Sequence, residues 1–487
     1  MSERLPSLKK NVALNSISSI MSIVFPLITY PYVARVLNAD GLGKINFAST
    51  TIGYYSLIAV LGISSYAGRE GIQYRDDQKK LNQFSSEVYT LNLITTLGSL
   101  LVLAISCVVV AKFRSYLSLI SIYSLTIVFS VFGVEWIYRI EEDYTYVTIR
   151  AILIQCISVV CLFIFVRRPD DYVRYACLTV LASVGSNIFN LIHSRKYIQL
   201  RICKNLKRVF SHFSACLVFF SSSIASSIYS NIDIMMLGFY STDYVVGIYS
   251  VAVKIYSLIK TLLTAITSVM VPRLTYYKTH DQIDEYNALL SRLMKSLWTL
   301  LLPIVTGVIL VSKEIIIVFL GAGYEEAQSC LIILSFAIFF SLFAGVSNGC
   351  ILIVNKREKM ALLTTVSAAI VNFGTNLIAI PAWGADGAAA TTVIAEAVVL
   401  TISWFTARKY AVLGRMSKTI MTSVIGCVVM ISISALIQMS CETSLLSLIL
   451  KLVLCSCIYF SLQYIMRNEI VRIYAKMMVD RIKRICP

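Results

Sequence analysis

Five ionisable side chains interrupt long apolar runs in this sequence, and those are the residues with chemistry to explain: Asp233, Lys254, Lys260, Glu396 and Lys451. Putting a charge at the centre of a bilayer costs roughly 2.5–3.5 kcal/mol on insertion scales, so such groups are suspected of function by default. Lys260 and Glu396 fall near the middle of two apolar runs. A cation there can face an anionic group, and a carboxylate there can take a proton. The plainer alternative is that the two neutralise each other as a buried pair. Asp233 lies about 9 Å below one end of its run and Lys254 about 12 Å below the start of the next, at about 1.5 Å per residue. Adjacent antiparallel helices would let them meet, so a structural salt bridge competes with a proton-coupling role. Arg35, Arg69 and Glu135 stand at run ends, where snorkelling to headgroups accounts for them. Lys451 is expected to snorkel outward. Pro26 and Pro31 predict a bend in the first run, a plausible hinge for a gate.

Other chemistries find no support. The three histidines, His193, His212 and His280, lie at run ends or in loops, which argues against a His-based hydrolase or a zinc site. The phosphate-binding pattern G-x-x-x-x-G-K-[ST] does not occur; Gly43-Lys44 is followed by Ile45, and Asn38 stands where the first glycine belongs. No cofactor is expected. Most of the 13 cysteines lie within apolar runs without metal-ligand spacing and read as small apolar fillers. Acidic clusters at Asp76-Asp77, Glu141-Glu142-Asp143 and Asp170-Asp171 sit among basic residues and read as solvated structural groups. The outer connections are too short to hold the acceptor and donor of a membrane glycosyltransferase, so the reading is a transporter, not an enzyme.

The elements that must position these residues are membrane helices. The chain is 57% hydrophobic and 14% charged, which excludes a soluble globular protein. Its runs of about 20 residues match a helix crossing about 30 Å of hydrocarbon. Barrel strands would be half as long and would alternate. The fold expected is an all-α integral membrane protein of about fourteen transmembrane helices, with both termini cytoplasmic. Threaded that way, 32 of the 43 Lys and Arg residues fall on one face, 8 on the other and 3 inside spans. A shifted helix would scramble that asymmetry. Net charge +17 therefore reads as attraction to anionic headgroups, with no nucleic acid as partner. The first run lacks a small-residue cleavage site and reads as a retained helix. Residues 1–193 are expected to form an N-lobe of six helices and 194–212 a basic cytoplasmic linker. Residues 213–410 then form a six-helix C-lobe, 411–466 an appended helix pair and 467–487 a basic tail. LNADGLGKINFAST (Leu37 to Thr50) is echoed by YSTDYVVGIYSVAV (Tyr240 to Val253) and by GADGAAATT (Gly384 to Thr392), as two repeated lobes would require.

FPLITYPYVARVLNADGLG (Phe25 to Gly43) closely resembles the first hairpin of Wzx-type oligosaccharide flippases, in the multidrug/oligosaccharidyl-lipid/polysaccharide (MATE-like) exporter superfamily. The resemblance continues in order through GISSYAGRE (Gly62 to Glu70), EWIYRIEEDYTYVTIRAI (Glu135 to Ile152), NIDIMMLGFYSTDYVVGIYSVAVKI (Asn231 to Ile255), VPRL (Val271 to Leu274) and VNFGTNLIAIPAWGADGAAATTVIAEA (Val371 to Ala397). It covers roughly residues 8 to 410. It implies transfer of a polyprenyl-diphosphate-linked oligosaccharide, an O-antigen or capsule repeat unit, from the inner to the outer leaflet of the cell inner membrane. Polysaccharide polymerase or assembly proteins are the partners it implies. On that reading Arg35, Lys254, Lys260 and Arg273 are expected to meet the diphosphate, and Tyr256, Asn372 and Asn376 the sugar. Asp233 and Glu396 are the candidates for proton coupling. An organic-cation exporter and a flippase for peptidoglycan precursor remain as alternatives.

Overall fold

Backbone in lipid must close its own hydrogen bonds, and every regular element among the described residues is helical. The computed structural model describes the backbone of residues 8–440 and 444–485, and the side chains of 21, 24–440 and 444–477. Eleven of its helices are long and apolar enough to cross a membrane. The protein is a multi-pass membrane protein. Its outward faces agree: Leu97, Leu101 and Ile105, four residues apart on one helix, are each more than half exposed.

The chain divides into two compact units, Met1–Gly247 and Ile248–Pro487. The first holds α1 (Leu8–Val60), α2 (Ile63–Glu70), α3 (Gln78–Val109), α4 (Ala111–Ser115), α5 (Leu117–Ser130) and α6 (Glu135–Ile140). It continues with α7 (Tyr144–Phe165), α8 (Tyr172–Val184), α9 (Asn187–Ser194), α10 (Leu206–Ser211) and α11 (Phe213–Tyr240). The unit boundary falls within α12 (Asp243–Thr279). A straight α1 would run about 80 Å, far more than a bilayer needs. It folds back at Asn38, whose φ of 57° and ψ of 177° lie outside the helical region and break the helix. The echoed turns have a packing reason. A Cβ at Gly43 would overlap the backbone of Asp243, and one at Gly247 would overlap that of Ala39.

Three spans expected to be continuous are broken near one end. The second breaks at Leu61–Gly62 (φ 45° and 69°), the fourth at Val134 (φ 32°), and the sixth between α8 and α9. Breaks free carbonyls, which lipid cannot satisfy. Two amides of α9 do so instead: Asn187 Nδ2 donates to the Phe129 carbonyl (3.1 Å) and Asn190 Nδ2 to that of Gly133 (2.9 Å). Below the breaks, Ile63, Phe84, Trp136, Ile137, Ile198 and Val209 share one buried cluster. The basic run after α9 is zipped onto α3. Backbone N–H groups of Gln199, Arg201 and Cys203 donate to Asn82, Ser86 and Thr90. Two extended residues advance about 6.6 Å and four helical residues 6 Å, so the ladder stays in register. Outside the membrane, Asp77 caps α3. The N–H groups of Lys80 and Lys79 on its carboxylate hold that carboxyl below the usual range.

The second unit holds the rest of α12, then α13 (Ile283–Leu320), α14 (Ala327–Gly345) and a wider π-helical turn at Val346–Ile353. α15 (Glu358–Ala407), α16 (Ser417–Ser440), α17 (Leu445–Ile465) and α18 (Glu469–Ile485) complete it. α15 folds back at Gly384 (φ 54°), repeating the Asn38 solution. Lys451 does not snorkel. It is 1% exposed and donates to Glu314 Oε1 on α13 (2.5 Å) and to Gln438 Oε1 on α16 (3.0 Å). The energetic reason is that a lysine at that depth is stabilised more by a facing carboxylate than by a strained reach to the interface.

Gly387 lets the two halves of α15 close up, because a Cβ there would overlap the Ala379 carbonyl. Gly387→Val is therefore expected to cost about 1–3 kcal/mol through overpacking. A lower melting temperature in detergent checks this; an unchanged one would contradict the packing account.

Candidate functional site

Tyr256 and Lys260 are four residues apart on α12 and so share a face. The return half of α15 brings Glu396 against that face. Lys260 Nζ lies 2.6 Å from Glu396 Oε1, and the Tyr256 hydroxyl donates to the same oxygen at 2.8 Å. Nζ is also 3.2 Å from the Tyr256 hydroxyl and 5.5 Å from the centroid of its ring. The plainer expectation is thus met in part: the two charges do pair. The pair is lopsided, because the Glu396 side chain is 3% exposed and that of Lys260 is 30%. The carboxylate is enclosed, while part of the lysine side chain remains accessible. Such a group can exchange part of its contact with Glu396 for an incoming anion without a second desolvation of the carboxylate. Two turns from Tyr256 on α12 and one turn from Glu396 on α15, the Tyr249 and Thr392 hydroxyls lie 3.2 Å apart and continue the polar seam.

The remaining sequence candidates are placed differently. Asn372 and Asn376 are fully buried between the two halves of α15. Asn376 Nδ2 donates to Asn372 Oδ1 (3.1 Å), and the Thr391 hydroxyl donates to Asn376 Oδ1 (2.5 Å). Asn376 ties the two halves through Thr391, Asn372 bonds to Asn376 on its own half, and neither is exposed in this conformation. Arg273 is exposed about 20 Å further along α12, where its Nε and Nη2 donate to the Tyr277 hydroxyl. Lys254 is partly buried on α12, six residues from Lys260 and roughly a third of a turn round the helix. In the first unit, Arg35 is exposed just before the Asn38 turn, and Asp233 is 4% exposed on α11. Within the second unit the structure gathers Tyr256, Lys260 and Glu396 at one place and Asn372 and Asn376 at another.

Two ion pairs inside helices escaped the sequence reading. Glu314 pairs with Lys451, and Arg150, counted with a connection, is a 9% exposed residue within α7 that meets Glu135 at 3.4 Å. Among the described residues no cluster of His, Cys, Asp and Glu could hold a metal ion.

Residues 8–278 match the family described as polysaccharide biosynthesis protein. The chain is similar to a Shigella dysenteriae protein assigned to O-antigen transport, 26% identical over 56% of this chain and 69% of that protein. It is also similar to an Escherichia coli K12 protein with the same assignment, 22% identical over 68% of this chain and 79% of the relative. Among solved structures, a lipid II flippase MurJ in an inward closed conformation superposes with a TM-score of 0.76 at 14% identity, covering 94% of this chain and 99% of the other. At that identity the likeness establishes the fold.

Proposed function

This chain belongs to the polysaccharide biosynthesis protein family, and from that premise we propose how it moves a lipid-linked oligosaccharide across the membrane. It is a transporter of such lipids, as its relatives' assignments also indicate. Its finer arrangement is about fourteen helices in two six-helix lobes plus an appended pair, with both ends in the cytoplasm of a cell bounded by this inner membrane. The site is the Lys260–Glu396–Tyr256 cluster. A diphosphate-sugar head cannot enter hydrocarbon for the reason that makes buried charges expensive. Lys260, the more accessible member of the pair, meets the diphosphate, Glu396 holds the ammonium in place, and the Tyr256 hydroxyl fixes the carboxylate. Lys254 and the exposed Arg35 and Arg273 are further cationic stations on the route. The polyprenyl tail stays in the bilayer while the lobes alternate access. The single observation that carries this reading is an ion pair within apolar helices whose lysine side chain, unlike that of its glutamate, remains partly accessible.

Coupling follows from the charge carried. With the interior negative, moving two uncompensated negative charges outward is favourable by about 4.6 kcal/mol per 100 mV, twice the single-charge value. Protonation of Glu396 or Asp233 would add an inward proton. Flipping of a fluorescent polyprenyl-diphosphate sugar in reconstituted vesicles is expected to speed up when the lumen representing the periplasm is made positive. Indifference to both voltage and pH gradient would remove both forms of coupling. In cells, deletion is expected to accumulate lipid-linked repeat units. Drug sensitivity alone would point to a cation exporter, and lysis to a peptidoglycan-precursor flippase.

A further inference from the structure

The first unit contains a cavity of about 320 Å³ with no charged residue in its wall, and three helices each turn a polar stripe toward it. On α1 the stripe is Asn46, Ser49, Gly53 and Ser56, at helical spacing. Tyr123 and Thr126 face it from α5, and Tyr175, Thr179 and Ser183, each four apart, from α8. Small polar residues on one helix can serve close packing, but three such stripes facing one cavity leave their polar groups lining open space. We propose that this cavity is a subsite for one uncharged sugar of the transported glycan, an inference that rests on the transport reading above.

The hydrogen bonds define what fits. Ser49, Thr126, Thr179 and Ser183 each donate their one proton to a carbonyl of their own helix, at 3.2, 2.7, 2.8 and 3.0 Å. The Tyr123 hydroxyl is 3.1 Å from Thr179 Oγ1, and with the Thr179 proton committed it must be the donor. What these groups retain is lone pairs, the complement of sugar hydroxyl protons. Asn46 is the exception, since its Nδ2 is buried without a partner. A turn of that amide about its last torsion exchanges nitrogen and oxygen, so it can serve a sugar oxygen as donor. Tyr123 and Tyr175 add negative ring faces for sugar C–H groups. A volume near the low end of roughly 300–1,000 Å³ suits a single ring rather than a whole repeat unit. A uronic acid is excluded because its carboxylate would be desolvated with no cation in the wall.

Gly53 supplies the test, because a Cβ there meets nothing within 4 Å. Gly53→Leu extends a side chain toward the cavity from a position with room for its Cβ. In vesicles, it is expected to slow flipping of polyprenyl-diphosphate N-acetylglucosamine at least about tenfold while leaving bare polyprenyl diphosphate within about twofold. Thr179→Val, which keeps the shape and removes acceptors, should slow the sugar lipid in the same direction. Equal slowing of both lipids, or of neither, would overturn the subsite. A photoactivatable group on the sugar gives a readout independent of turnover. Label on peptides carrying Tyr123 or Tyr175 supports the proposal, and label confined to the second unit overturns it. Wild-type protein that moves neither lipid would sink the transport reading instead, and the photolabel still decides the subsite.

Discussion

Lys260→Met is expected to lower flipping about a hundredfold, the effect of losing one charge-assisted contact of about 2.7 kcal/mol to the diphosphate. The single variant alone is ambiguous, since it leaves Glu396, whose side chain is 3% exposed, without its cation. A carboxylate so placed takes up a proton or destabilises the fold. The double variant Lys260→Met/Glu396→Gln removes that problem: the amide keeps an acceptor for Tyr256 and carries no charge. If Lys260 binds substrate, the double variant regains folded yield but stays as slow as the single one. Transport at the wild-type rate in the double variant would reduce Lys260 to a counter-ion of Glu396. The measurement is the initial rate of dithionite-resolved lipid flipping per folded molecule, with monodispersity in detergent as the control.

The fold class was legible because lipid imposes a strong rule: apolar length, positive-face bias and short outer turns each report on the bilayer rather than on tertiary detail. Two of the three echoed turns show a common backbone feature, as Asn38 and Gly384 both take a positive φ where the chain reverses. The breaks at Leu61–Gly62 and Val134 were not legible. They are repaired or buried by distant groups such as Asn187 and Asn190, and nothing local in an apolar run signals a distant donor. Within the site, Lys260 and Glu396 announced themselves by the penalty of burying charge. Asn372 and Asn376 were misleading, because a neutral amide in a span serves helix packing as well as ligand binding and only the partner decides. The hydroxyl stripe of Asn46, Ser49 and Ser56 went unread for the opposite reason. Small polar residues at helical spacing also occur where helices simply approach closely, and only the facing stripes on α5 and α8 give them a cavity to line.

Lys451→Met is expected to be the most destabilising single change among the buried pairs, by about 3–5 kcal/mol, because it strands a carboxylate in the helix interior. Glu314 is 3% exposed and meets Lys451 at 2.5 Å, and the same ammonium also reaches Gln438 at 3.0 Å. One side chain thus joins α13, α16 and α17, which also pack through an apolar cluster of Cys427, Met430, Cys455 and Tyr459 and through the Tyr459 hydroxyl on the Thr299 carbonyl. A melting temperature lower by at least about 5 °C in detergent is the expected readout. The pairing account makes a sharper demand than loss alone. A buried ion pair replaced by well-packed apolar residues is often neutral or stabilising, so Lys451→Leu/Glu314→Leu should recover most of the stability that Lys451→Met loses. Flipping per folded molecule should stay within about twofold in both, since a twofold change is only about 0.4 kcal/mol and neither residue belongs to the Lys260 cluster. Failure of the double variant to recover would mean that the ammonium's bond to Gln438, rather than its charge on Glu314, holds the three helices together.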